Sequence, residues 1–148
     1  FQGVDRRFDF KIKNDHIVLL SDYAHHPAEI RQSVTSIRTL YPDKKITAIF
    51  QPHLYTRTRD FYKEFADSLS LLDEVILLDI YPAREQPIPG VTSQLIYDNL
   101  RPGIEKCLCK KEELIDLLKN KHLEVLITLG AGDIDNYIPQ ISELLKDR

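Results

Sequence analysis

Two short polar stretches of the sequence carry side chains that could bind an anion or move a proton. Residues 22–27, DYAHHP, hold an aspartate, a tyrosine and two adjacent histidines, and residues 51–60, QPHLYTRTRD, hold a histidine and two arginines. A carboxylate can accept a hydrogen bond from a ribose hydroxyl, and an imidazole can donate to a carboxylate or phosphate. The two stretches therefore predict a binding site for a polar, anionic ligand.

The arginines are the more informative part of this pattern. Arg57 and Arg59 fall near the start of a predicted helix, where the helix dipole disfavours each positive charge by roughly 0.3–1 kcal/mol. A bound anion would offset that cost, because guanidinium groups and free backbone N–H groups together bind carboxylates and phosphates. A structural interpretation stays open for each stretch: Arg59 could pair with Asp60 or Glu64, and Asp22 or His26 could cap a helix.

Other motifs in the chain are weaker. Residues 129–134, LGAGDI, place two glycines between a strand and a helix but lack the full dinucleotide-binding pattern, so a tight turn that needs glycine is the favoured explanation. Cys107 and Cys109 have no matching second pair of metal ligands. The sequence contains no P-loop, nucleophile elbow or HExxH motif, and a complete catalytic set is not predicted.

The elements that position these stretches follow from the hydrophobic pattern. Residues 8–13 alternate and residues 16–22 are nearly all apolar, which predicts an antiparallel hairpin. A helix is predicted over about residues 27–41. Further apolar strands alternate with amphipathic helices, and one of these helices carries Phe61, Phe65 and Leu69 on one face. This pattern predicts a three-layer α/β domain, with a mostly parallel sheet between helices and the polar loops at its carboxyl edge.

Composition narrows the class of protein. The chain has 148 residues, 43% of them hydrophobic, and a formal net charge of -3, which predicts one domain and no nucleic acid partner. Two closely spaced cysteines and the lack of a long apolar segment predict a cytoplasmic protein without a membrane partner. The chain begins at Phe1 and contains no methionine, so we interpret it as part of a longer protein.

Five segments together resemble one known family. These are FQGVDRRFDF, SDYAHHPAEI, AIFQPHLYTRTRDF, DEVILLDIYPAREQPIPGVTS and ITLGAGDI. They resemble the carboxyl-terminal domain of the Mur ligases over essentially the whole chain, residues 1–148, and most closely the members that add alanine. The resemblance implies a Rossmann-like domain, in agreement with the hydrophobic pattern.

The resemblance also implies an activity for the longer protein. Such ligases join L-alanine to UDP-N-acetylmuramate in peptidoglycan precursor synthesis, using ATP and releasing ADP through an acyl phosphate. In the family, a central P-loop domain binds the triphosphate and Mg²⁺, and an amino-terminal domain binds the UDP-sugar. This chain alone is therefore expected to be inactive and to hold no metal ligands. The alternatives are a related ligase with another amino acid or peptide acceptor, and a non-catalytic nucleotide- or anion-binding module.

Residue roles carry over from the family by position. Asp22 resembles the aspartate that contacts the ribose, and Arg7 resembles the arginine that reaches the nucleotide. The resemblance assigns the L-alanine site to Tyr23, His25, His53 and Arg57.

The carboxylate clamp for L-alanine departs from the family at one position. Leu54 stands where many alanine-adding ligases carry an arginine. Arg57 is the expected partner of the alanine carboxylate, and Arg57 or Arg59 would compensate for the missing charge.

Overall fold

The structure, a computed structural model, describes residues 8–148. Its strands are β1 (Asp9–Lys13), β2 (Val18–Asp22), β3 (Ile46–Phe50), β4 (Glu74–Leu77), β5 (Glu105–Leu108) and β6 (Val125–Leu129). Its α-helices are α1 (Pro27–Leu40), α2 (Tyr55–Leu69), α3 (Gln94–Asn99), α4 (Leu114–Lys119) and α5 (Ile138–Leu145). Short 3-10 helices, Lys111–Glu113 and Asp133–Tyr137, lead into α4 and α5.

The strands form one sheet in the order β1-β2-β6-β3-β4-β5. The β1 strand pairs with β2 in antiparallel fashion, and all the other pairs are parallel. The central strands β2, β3 and β6 are buried along their whole length, as expected when helices cover both faces of a parallel sheet. The predicted mostly parallel sheet and the opening antiparallel hairpin are confirmed.

Two hydrophobic clusters lie on opposite faces of the sheet. Alternating strand residues separate them, since Ala48 and Phe50 pack into one cluster and Ile49 into the other. The first cluster includes residues of α1 and α2 and Ile96 of α3, whereas the second includes residues of α4 and α5. The predicted three-layer architecture is therefore confirmed.

The apolar stripe of α2 is shorter than its spacing predicts. Phe65 and Leu69 are fully buried, but Phe61 is 38% exposed. Steps of four residues drift around a helix with 3.6 residues per turn, so Phe61 lies about 80° from Leu69. Residues with that spacing do not all face the core, and the predicted single face is wrong at Phe61.

A buried carboxylate connects elements at the amino-terminal edge of the sheet. Glu74 opens β4, and its side chain is only 1% exposed. It accepts hydrogen bonds from Lys121 Nζ at 2.5 Å and Thr47 Oγ1 at 3.0 Å, and Lys45 Nζ lies 3.4 Å away. Burial favours the neutral acid, but the bonds from Lys121 and Thr47 prevail and lower the pKa of Glu74. The carboxylate is therefore ionised and paired at neutral pH.

The two cysteines are free thiols, Cys107 partly buried and Cys109 buried. Burial raises the pKa of both groups, that of Cys109 to about 11. Both thiols are therefore protonated at neutral pH, which makes them poor nucleophiles and poor metal ligands.

The lengths of the helices can be compared with the length of a membrane span. The longest α-helix within residues 8–148, α2, has 15 residues, whereas a bilayer span needs about 20 apolar residues. None of the helices in this range combines the length and apolar character that crossing a bilayer requires.

Candidate functional site

Three loops begin side by side at the carboxyl edge of the sheet. Asp22, Leu129 and Phe50 end their strands in one register, with β6 between β2 and β3. The backbone continues this alignment, because Gly130 N donates to Asp22 O at 3.2 Å and Gln51 N donates to Leu129 O at 3.0 Å. The two polar stretches found in the sequence are thus brought to one edge, separated by the loop after β6.

Five aromatic rings meet above this edge. The ring centroid of His25 lies 5.9 Å from that of Tyr23, 4.6 Å from that of His26 and 5.6 Å from that of His53. Tyr81, from the loop after β4, stacks on His53 with centroids 5.7 Å apart. The structure therefore brings together Tyr23, His25 and His53, as the sequence predicts, and adds Tyr81 to them.

Arg57 joins this cluster through a directed hydrogen bond. Its Nη1 atom lies 3.1 Å from Nδ1 of His53. Because a guanidinium only donates, Nδ1 of His53 is the acceptor and the proton of the neutral ring lies on Nε2. Arg57 forms no ion pair with a carboxylate among residues 8–148. The positive charge of Arg57 therefore lies within the cluster, and the guanidinium N–H groups that do not bond to His53 are available to a ligand.

Arg59 behaves differently, although it lies on the same helix. Its side chain is 52% exposed, and Nε donates to Asp60 Oδ1 at 2.9 Å. The structural interpretation of Arg59 is thereby confirmed. Arg59 is thus paired with a carboxylate of its own helix, whereas Arg57 is bonded to His53.

The loop of residues 23–26 is fixed by hydrogen bonds from both sides. Glu29 Oε1 accepts from the backbone N–H groups of His25 and His26 at 3.2 and 3.1 Å. The Nδ1 atom of His25 lies 3.0 Å from the carbonyl oxygen of Tyr23, which only accepts. His25 therefore carries its proton on Nδ1 and presents Nε2, the opposite arrangement to that of His53.

Proximity to Arg57 affects the ionisation of the imidazoles. The pKa of His53 is lowered from its ordinary value of 6.5, first by burial and then by the charges of Arg57 and His25. The pKa of His26 is lowered by the same three causes. Both rings are therefore neutral at pH 7. The folded state binds fewer protons than the unfolded state, so this part of the stability is full above pH 6.5 and falls as the pH drops through the lowered pKa.

We expect Arg57→Gln to raise the pKa of His53 toward its ordinary value, because the substitution removes the neighbouring positive charge. NMR titration of the His53 ring protons in the 148-residue chain measures this shift. Arg59→Gln is the matched control and should leave the titration unchanged. A His53 titration that is identical in Arg57→Gln and the native chain would contradict the pair seen here.

Asp22 is placed beneath the loop. It is 2% exposed, its Oδ1 accepts from the backbone of Ala24 at 3.0 Å, and its Oδ2 accepts from Ser33 Oγ of α1. These bonds orient the turn between β2 and α1 but do not cap the helix, whose N-cap residue is His26. Contact between Asp22 and a ribose stays a prediction. Arg7, the other residue assigned to the nucleotide, lies outside the described residues.

Leu54 has an uncommon backbone conformation at the start of α2. Its φ is +76° and ψ is 138°, in a region that costs a residue with a side chain about 1–3 kcal/mol. Neighbouring bonds hold it there, because Leu54 N donates to Tyr81 O at 2.9 Å and Leu54 O accepts from Thr58 Oγ1 at 2.9 Å. At this position, between His53 and Arg57 in the sequence, the chain has a half-buried apolar side chain where the family resemblance predicts an arginine.

The loops after β3 and β4 are also joined directly. His53 and Tyr81 form an isolated parallel bridge, and Tyr81 N donates to Pro52 O at 2.8 Å. Tyr81 was not identified from sequence, because a tyrosine in a Pro-rich loop carries no distinguishing signal.

Gln51, Asp133 and Lys111 form a second group that sequence reasoning missed. Gln51 Nε2 donates to Asp133 Oδ1 at 2.6 Å, and Lys111 Nζ pairs with Asp133 Oδ2 at 2.5 Å. Burial favours the neutral acid, but these two bonds prevail and lower the pKa of Asp133. This group supports the edge of the sheet next to the histidines.

The two glycines of the loop after β6 are required by close packing. A Cβ on Gly130, which has φ of +144°, would lie 2.8 Å from Gln51 O. A Cβ on Gly132 would lie 2.4 Å from Gln51 Oε1 and 2.7 Å from Tyr81 Cγ. The explanation of these glycines as a requirement of the turn is confirmed.

We expect Gly132→Ala to lower the free energy of unfolding by about 1–3 kcal/mol, because the new methyl group must displace Gln51 and Tyr81. Urea unfolding followed by circular dichroism measures this. Gly103→Ala serves as a comparison, since a Cβ there would meet nothing within 4 Å and only its φ of +86° opposes the change. Gly132→Ala unfolding at the same urea concentration as the native chain would contradict the packing described.

Fold and site together define an α/β domain with a cationic and aromatic rim at the carboxyl edge of its sheet. The pattern of the family "Mur ligase, glutamate ligase domain" matches residues 6–132. The chain belongs to this Mur ligase family.

Curated relatives extend this result. The chain is 78% identical over 148 residues to UDP-N-acetylmuramate--L-alanine ligase of Phocaeicola vulgatus, and 59% identical over 145 residues to the enzyme of that name from Parabacteroides distasonis. These matches cover 100% and 98% of the chain but 32% and 31% of the relatives. The chain spans about a third of the length of the curated relatives it matches.

Solved structures agree with this assignment. UDP-N-acetylmuramate-alanine ligase from Thermotoga maritima matches 96% of the chain and 30% of its own length, with a TM-score of 0.75 and 29% identity. The murein peptide ligase of Psychrobacter arcticus has the same TM-score at 16% identity and covers 97% of the chain and 30% of its own, which shows a shared fold only.

Proposed function

We propose that this chain is the carboxyl-terminal domain of an ATP-dependent, ADP-forming ligase that joins L-alanine to UDP-N-acetylmuramate. The 78% identity to the Phocaeicola vulgatus ligase over every residue of the chain supports this assignment. The enzyme would act in the cytoplasm, in peptidoglycan precursor synthesis, and its ATP, Mg²⁺ and UDP-sugar sites would belong largely to the rest of the protein.

The rim of the sheet is the proposed docking site for L-alanine, and the geometry around Arg57 is the observation that carries it. One guanidinium nitrogen is used by His53, and Arg57 forms no ion pair within 4.0 Å with a carboxylate of residues 8–148, although its charge contributes to lowering the pKa of the Glu85 carboxyl. A guanidinium has five N–H donors in a planar fork, which suits a carboxylate. The alanine carboxylate would bind Arg57, and the bond to His53 would keep the guanidinium in place.

The two histidines would then contact different groups of the bound amino acid. His53 presents an N–H at Nε2, a donor suited to an oxygen of the ligand, whereas His25 presents a lone pair at Nε2, an acceptor suited to an ammonium or amine. Both rings are held by bonds at their other nitrogen. This opposite polarity would orient the α-amino group relative to the carboxylate, which catalysis of amide formation needs.

The nucleotide contacts are proposed for Arg7 and Asp22, from the family resemblance. The buried Asp22 carboxylate is engaged by Ala24 and Ser33, so its position fits support of the loop better than a dominant contact with ribose. The chain contains no P-loop that would hold the phosphates. Residues Arg7 and Asp22 would therefore contribute one side of the nucleotide site, and bound nucleotide would supply the energy for acyl activation.

The parent protein tests this function. Its longer reading frame, expressed whole, should release phosphate from ATP only when UDP-N-acetylmuramate and an acceptor are both supplied, with L-alanine preferred over glycine, serine and a tripeptide. A preference for the tripeptide would reassign the chain to a related ligase. Nucleotide binding without phosphate release would support a non-catalytic module instead.

A further inference from the structure

Three potential metal ligands lie together at the start of α1. One potential ligand atom each from His25, His26 and Glu29 lies within 4.8 Å of the others. The ring planes of the two adjacent histidines lie at 40° to each other, and Glu29, one helical turn further on, lies beside His25. Tetrahedral zinc sites hold such atoms roughly 3.3 Å apart at bond lengths of about 2.0–2.1 Å. A small rotation of the exposed His26 ring would bring the set to that size.

The surroundings of these side chains have a second property of metal sites. A histidine that binds a metal commonly donates its other ring N–H to a backbone carbonyl, and ligating carboxylates are themselves hydrogen-bonded. The Nδ1–H of His25 already donates to Tyr23 O, which leaves Nε2 as a free lone pair. The Glu29 carboxylate is held by two backbone N–H groups. The hydrogen bonds that would orient these side chains around a metal ion are therefore already present.

We propose that His25, His26 and Glu29 form a binding site for a divalent transition metal ion of the Zn²⁺, Co²⁺ or Ni²⁺ class. Two imidazole nitrogens and one carboxylate are ligands that these ions favour. Three protein ligands leave at least one coordination position open. This site uses the same His25 Nε2 atom as the proposed contact to the amino group, so a bound ion and the amino acid would compete for it. It is separate from the Mg²⁺ proposed for the ligase reaction, which hard oxygen ligands bind.

The charges around the site predict its affinity. The Glu29 carboxylate attracts the ion, whereas the guanidinium of Arg57, whose charge reaches His26, repels it. Within residues 8–148, Arg57 and His53 are the groups recorded near these histidines from another element. The opposing charges predict a site of moderate affinity that becomes stronger when Arg57 is neutralised.

Calorimetric titration of the 148-residue chain with ZnCl₂, after removal of any polyhistidine tag, tests the proposal. We expect one ion per chain, binding at least tenfold more weakly in His26→Ala and Glu29→Gln, and more tightly in Arg57→Gln. Co²⁺ should show the visible absorption of a low-coordinate site. These readouts need no ligase activity, so their failure and the failure of the proposed function are distinguishable.

The control is the other histidine–carboxylate pair that the described residues contain on an exposed surface. His122 Nε2 lies 3.4 Å from Glu124 Oε2, and the His122 side chain is 78% exposed. His122→Ala should leave zinc binding unchanged. Loss of binding in His122→Ala but not in His26→Ala would overturn the assignment, as would absence of binding in the native chain. Circular dichroism confirms that each variant is folded, which is expected because His26 is exposed.

Discussion

Arg57→Ala in the full-length ligase is expected to raise the KM for L-alanine by about 10- to 100-fold. A charge-assisted hydrogen bond contributes about 1.5–3 kcal/mol, and each 1.4 kcal/mol corresponds to tenfold in affinity. The KM for UDP-N-acetylmuramate should change little, because the site proposed for that ligand belongs to another domain. Steady-state kinetics with each substrate varied in turn measures both values.

Arg59→Ala is the matched control for this experiment. Arg59 lies two residues further along α2, carries the same charge and pairs with Asp60 on the surface. Its loss should leave the KM for L-alanine within about twofold, as expected for an exposed ion pair. An unchanged KM in Arg57→Ala, or an equal rise in both variants, would remove Arg57 from the carboxylate site.

Glu74→Gln is expected to lower the free energy of unfolding by about 3 kcal/mol at pH 7. The substitution keeps the size of the side chain but leaves the ammonium groups of Lys121 and Lys45 without the buried charge that pairs with them. Urea unfolding of the 148-residue chain measures the loss. Glu105→Gln is the control: Glu105 pairs with the same two lysines but is 56% exposed, so its change should stay below about 1 kcal/mol.

The same carboxylate predicts a dependence on acid. The pKa of Glu74 is lowered from 4.5, so the folded state holds fewer protons than the unfolded state. Its contribution is full above pH 4.5 and is lost as the pH falls through the lowered pKa. The native chain should therefore lose more stability than Glu74→Gln in this window. Parallel curves for the two proteins would show that the fold does not lower the pKa of Glu74.

Much of the fold could be predicted because a parallel sheet with two covered faces needs continuous apolar strands. Strands β2, β3 and β6 are such runs, and their order of appearance with the helices indicates the architecture. The last helices were less predictable. Residues 110–121 and 134–146 have helical spacing throughout, yet each segment begins as a 3-10 helix before α4 or α5. Such ends depend on tertiary contacts rather than on periodicity.

The site was predictable in its location and less so in its bonding. Parallel strands place their carboxyl ends on one edge, which is sufficient to bring His25 and His53 together. The direction of a side chain is not encoded in that rule. Asp22 would end its strand whether its carboxylate pointed inward or toward a ligand. The hydrogen bond from Ser33, eleven residues further along the chain, shows that it points inward. Tyr81 joins the site through strand order alone, because β4 adjoins β3.

The bridge between His53 and Tyr81 fixes the loop after β3 and the loop after β4 relative to each other, although they are distant in the sequence. A longer or shorter Pro-rich loop would shift Tyr81, and with it the imidazole that holds Arg57. Transferring the preference for one acceptor from one homologous enzyme to another would therefore require both loops to be exchanged together.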